Sequence, residues 1–152
     1  MGRWHYDANE GTPSEAAEWF ERSLELDPAY PLSLLYRAHC LHDLAEAKTR
    51  RGEAADWCAA VRAYQAVPLE DFQGQRAHII EVVQEALAFC QMRAGDRDAA
   101  VEGFSRLIDR LKRSPHLEFG LLLHYMKQAC RGPLREELGE RFEELAETYQ
   151  IS

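Results

Sequence analysis

No run of apolar residues in this sequence approaches the roughly 20 that a helix needs to cross a bilayer. The opening, MGRWHYDANEG, lacks the apolar core of a signal peptide, and Tyr6 stands where a myristoylation motif places Ser or Thr, so cytoplasmic residence is the expectation. Positive charge is in deficit: 18 Lys and Arg face 26 Asp and Glu, giving a net charge of −8. Such a surface repels a phosphate backbone on average, so neither nucleic acid nor membrane is an expected partner. Cysteine is scarce and scattered. Cys40, Cys58, Cys90 and Cys130 form no Cys-x-x-Cys pair, and all four fall in expected helices, where a reduced thiol behaves as a small hydrophobe. They are read as buried free thiols, and Cys90 and Cys130 have no neighbouring histidine in sequence to activate them as nucleophiles. Also missing are a Gly-x-Ser-x-Gly elbow, a Gly-rich phosphate loop, a His-Glu-x-x-His pair and any strand-like alternation. No catalytic residue and no cofactor is therefore expected.

What the sequence does contain is helical periodicity. Its 152 residues, 46% hydrophobic and 29% charged, are enough for one domain with a sizeable core and too apolar for a disordered tail. The basic residues are overwhelmingly arginine and alanine is frequent, a composition that points to a GC-rich, bacterial genome. Thr12 to Pro28 carries a helix start, an amphipathic face and a stop: Thr12 as N-cap, Pro13 at the first helical position, Glu15 completing a capping box and Pro28 ending the run. Pro31 to Arg51 repeats Leu34, Leu35, Ala38, Leu41, Leu44 and Ala45 at helical spacing and ends in a basic turn with Gly52. Further helices are expected from about Glu53 to Val67, from Gly74 to Ala94, from Asp96 past Leu111, and from Ser114-Pro115 to about Cys130. The last helix carries Leu134, Leu138, Phe142, Leu145 and Tyr149 on one side and glutamates elsewhere, with Glu137 and Arg141 spaced as an i, i+4 ion pair.

Phe20, Tyr64, Phe104 and Phe142 stand in register on alternate helices, preceded four residues earlier by Ala16, Ala60, Ala100 and Leu138. Together with Leu87, Ala88, Gly95 and Asp96 this pattern resembles the tetratricopeptide repeat, whose second helix has small and aromatic residues at that spacing and ends in Leu-x-Pro. The resemblance is good over about residues 12–115 and looser beyond, and the intervals here exceed the family's usual length of about 34 residues. It implies an all-α fold: antiparallel helical hairpins stacked as a short right-handed superhelix with a C-terminal capping helix. On this reading residues 1–152 form a single domain, with 1–11 an N-terminal extension or truncated first helix, 12–115 the repeats, and 116–152 the last hairpin and cap.

In that family the first helices line a concave groove. Carried over, groove positions fall on Leu32, Leu35, His39, His42 and Asp43 in one hairpin, and on Val82, Glu85, Phe89, Met92 and Arg93 in the next. The implied function is a non-enzymatic scaffold, adaptor or chaperone that holds a peptide or amphipathic helix of another protein. The basic and amide residues with which some members clamp a C-terminal carboxylate are not at these positions. Two alternatives stand beside it. One is a homo-oligomerisation module using apolar surface near Trp4, Trp19 and Phe20; the other is a metal sensor or helical enzyme using His39, His42, Asp43 and Glu46, which lie along one broad helix face.

Overall fold

The computed structural model describes residues 18, 21, 22, 25, 31–72, 77–113 and 123–152. The expected helix start around Thr12, the aromatics Trp4, Tyr6, Trp19 and Phe20, and the Ser114-Pro115 start lie outside them. Among the described residues there are helices and no strands, so the fold is all-α. The chain divides into two compact units, Met1–Asp71 and Phe72–Ser152.

In the first unit, Glu18, Glu21, Arg22 and Glu25 are helical and exposed, a polar stripe at helical spacing. Arg37 forms an ion pair with Glu21. Helix α1 spans Pro31–Arg50 and packs against α2, Trp57–Gln65. Helix α1 ends where the sequence says it should, because Gly52 takes φ +73°, a left-handed conformation that costs glycine little. The turn then closes with Glu53 N–H on the Lys48 carbonyl at 2.9 Å and Gly52 N–H on that of Thr49 at 3.1 Å. The next helix starts later than periodicity alone suggests. Residues 53–56 stay extended or irregular because Asp56 is the N-cap, its Oδ1 accepting from Ala59 N–H at 2.9 Å. Leu35, Ala38 and Ala45 of α1 and Ala60, Ala63 and Tyr64 of α2 form the buried seam.

In the second unit, α3 (Ala77–Arg93) and α4 (Arg97–Arg113) form a hairpin around Gly95, φ +93°, with Asp96 capping α4 through Ala99 N–H. The two helices approach closely at Ala88 and Gly103, where a Cβ on the glycine would stand 3.1 Å from that of Ala88. Helices α5 (His124–Cys130) and α6 (Arg135–Tyr149) follow. The expected helix through to Cys130 is shorter at its described end than the sequence suggests, because Leu123 turns left-handed at φ 42° immediately before α5. Phe104 and Phe142, with Ala100 and Leu138 one turn earlier, are fully buried.

Exposed ion pairs also link α6 to α4 around the buried apolar residues of both helices. Arg97 reaches both oxygens of Glu137 at 2.7 and 2.8 Å, Arg141 meets Asp109 at 2.6 Å and also Ser105, and Lys112 meets Glu144 at 3.2 Å. Tyr149 donates its hydroxyl to the Leu111 carbonyl at 2.6 Å. Glu137 and Arg141 thus serve the neighbouring helix instead of each other, because α4 offers Arg97 and Asp109 at the matching heights.

Candidate functional site

His39 and His42 are three residues apart on α1, and that spacing turns both toward α2. Tyr64, fully buried on α2, places its hydroxyl between them, 2.7 Å from His39 Nδ1 and 3.1 Å from His42 Nδ1. The hydroxyl donates one hydrogen bond and accepts others, so no more than one of the two imidazoles receives its proton at Nδ1. Trp57 closes the far side, its ring edge-on to His42 at 5.7 Å and its Nε1 donating to Thr49 Oγ1 at 3.2 Å.

Burial sets the protonation of this knot. Desolvation drives His39 down to about 4, and desolvation followed by the neighbouring His39 drives His42 down to about 3. Both are neutral at physiological pH. Asp43 moves the other way, up to about 6, chiefly through desolvation and then through Glu46, with Arg50 opposing. His42 Nε2 stands 3.9 Å from Glu46 Oε1, outside hydrogen-bonding distance. Among the described residues no three His, Cys, Asp or Glu side chains are grouped as a metal ion would require. The four residues of the expected metal set share a helix face, but the Nδ1 atoms of both histidines are committed to Tyr64.

The other expected site residues divide by burial. Leu35, His42, Glu85 and Phe89 are buried; Leu32, His39, Asp43, Val82 and Met92 are half-buried; Arg93 is exposed. Leu35 and Phe89, expected at groove positions, are already covered by their own chain. The five residues from 32 to 43 belong to the first unit and the five from 82 to 93 to the second.

Within the second unit, Phe89 stacks on Tyr125 of α5 at 4.7 Å between centroids, Tyr125 meets exposed His124 edge-on at 5.3 Å, and the Arg93 guanidinium lies 5.3 Å over Phe89. Glu85 is buried, and its Oε2 accepts from Met126 N–H at 3.0 Å. No family model, no curated protein and no solved structure matches the chain. The side chains themselves must carry the functional reading.

The thiols are poor nucleophiles where they are buried. Desolvation raises both Cys40 and Cys130 to about 12, far from any thiolate at neutral pH. Cys58 corrects the expectation of four buried thiols: it is exposed on α2. Position on a helix does not fix which side faces the core, and here Trp57, Ala60 and Tyr64 take that side.

Sequence reasoning missed Tyr64 as the bridge between the histidines, Tyr125 on Phe89, and the burial of Glu81 and of Glu85, the latter expected in a groove. Tyr64 had a sequence signal as a core aromatic but none as a hydrogen-bond centre. The buried acids sit four apart in Ile79 to Ala88, a stretch apolar but for them and Gln84, and that interruption of the apolar pattern is the signal they offer.

Proposed function

We propose that this chain is a non-enzymatic protein-binding scaffold that holds an amphipathic helix or extended peptide of another protein against the first helix of each hairpin. The observation that carries this reading is the contrast between first and second helices. Helix α1 buries Leu35, Ala38 and Ala45, yet Leu32, Leu34, Leu41 and Leu44 on its other sides remain half-exposed. Helix α3 has the same character, with Ile79, Ile80, Val82, Leu87 and Met92 half-exposed around a buried seam. By contrast α4 is one-sided: Phe104, Leu107, Ile108 and Leu111 are buried, and Glu102, Arg106, Asp109 and Arg110 are exposed. A helix apolar on several sides needs cover beyond its hairpin partner. The arrangement implied by the tetratricopeptide resemblance, first helices lining a binding surface, is part of this proposal.

Recognition would rest on burial of the partner's apolar side chains, with Asp43 and Arg93 discriminating register. The test is photo-crosslinking in the native cells from a reactive side chain at Leu32 or Met92, with the exposed Glu136 of α6 as control. Adducts to a second protein from the first-helix positions and none from Glu136 support the reading. Equal labelling from all three positions removes it, and adducts only between copies of this chain replace it with self-assembly.

A further inference from the structure

Helix α5 is short, and its N-cap, Leu123, provides no side-chain cap. The missing acceptor comes instead from another helix. Glu85, one-twentieth exposed on α3, directs its carboxylate at the first turn of α5, where Oε2 accepts from Met126 N–H at 3.0 Å and the backbone of Tyr125 donates as well. One turn earlier on α3, Glu81 is also fully buried; its Oε1 pairs with Arg110 Nε of α4 at 2.7 Å, and its Oε2 has no hydrogen-bond partner among the described residues. The two carboxylates therefore differ: α4 supplies a cation to one, and backbone amides answer the other.

We propose that Glu85 is a proton-responsive latch on α5, holding the helix in place when protonated and loosening it when ionised. The charged and titratable groups on the elements packed about it are Glu81 on its own helix, Arg110 of α4 on Glu81, His124, Tyr125 and Cys130 of α5, and Arg141 and Glu143 of α6, whose charges act on Cys130. Burial is the dominant influence on Glu85 and raises it to about 7, with the amides of Met126 and Tyr125 lowering it by less. The sign follows. When α5 lifts away, the carboxyl returns to its ordinary range, so opening releases a proton below pH 7 and is progressively favoured as pH rises from about 4.5 to about 7. The closing contacts include the stack of Phe89 on Tyr125 and the buried Met126 and Cys130, so loosening α5 uncovers apolar surface on α3.

The test is amide hydrogen exchange at Tyr125 and Met126 in the full chain, corrected for the intrinsic pH dependence of exchange, beside Glu85→Gln. The native opening constant is expected to rise about tenfold between about pH 6 and pH 8, and that of Glu85→Gln, which keeps the acceptor oxygen without the titration, to stay level. A native constant that does not change, or the same rise in the variant, overturns the latch. If Glu85→Gln does not fold, the carboxyl carbon of Glu85 is titrated in the native chain by NMR. A midpoint near 7 with the α5 amides following it supports the proposal, and a midpoint near 4.5 overturns it.

Discussion

At the scale of single residues, most buried polar side chains among the described residues meet a second polar group, although Glu81 Oε2 is left without a hydrogen bond. Tyr64 is the sharpest case, because one hydroxyl serves two imidazoles. Tyr64→Phe keeps the ring and removes the shared partner, leaving two desolvated nitrogens; a loss of about 1–3 kcal/mol is expected, measured by urea denaturation. The same site predicts a pH dependence. His39 and His42 are held near 4 and 3 instead of 6.5, so their contribution is complete above pH 6.5 and is lost as pH falls toward those values. Asp43, raised to about 6, runs the opposite way, contributing below its ordinary value and losing that contribution as pH rises through 6. Two histidines outweigh one aspartate, so acidification from pH 6.5 to pH 4 is expected to destabilise this hairpin. Proton NMR of the imidazoles checks it: midpoints below about pH 5 agree, and midpoints near 6.5 contradict the burial argument.

At the scale of elements, small residues let helices approach and caps decide where they begin. Gly103→Leu forces a side chain into the space held by Ala88 and is expected to cost about 1–3 kcal/mol, whereas Phe104→Ala empties a fully buried position and is expected to cost about 3–5 kcal/mol. Thermal denaturation of the two variants orders them. Asp56→Ala removes the α2 cap, at a cost of about 1 kcal/mol. The sequence made several of these elements legible. The stops at Gly52 and Gly95 and the aromatic positions Tyr64, Phe104 and Phe142 are local signals, set by backbone conformation and by periodicity. The later start of α2 was readable at Asp56 but was outweighed by the helix-favouring residues before it. Leu123 gave no warning, because nothing in a leucine signals a left-handed residue. The partners of Glu137 and Arg141 were hidden for another reason. Each has a neighbour at i±4, and only the packing of α6 on α4 decides against it. Of the candidate site, the histidine pair was visible in spacing, but its commitment to Tyr64 depends on a contact 22 to 25 residues away in sequence.

At the scale of the whole molecule, the account rests on the apolar sides of α1 and α3 that their hairpin partners leave half-exposed. Burial also decides which variants are informative. Leu35 and Phe89 are 4% and 0% exposed, so Leu35→Glu or Phe89→Glu places a charge in the core and is expected to unfold its unit before any interface is tested. Leu32 and Met92 are half-buried, so a charge there carries a smaller penalty. The most direct measurement is affinity capture from the native cells with the intact chain beside the Leu32→Glu plus Met92→Glu variant, after circular dichroism and thermal denaturation confirm that both fold alike. The account predicts one or more proteins retained by the parent and lost by the variant; the same proteins captured equally by both would contradict it.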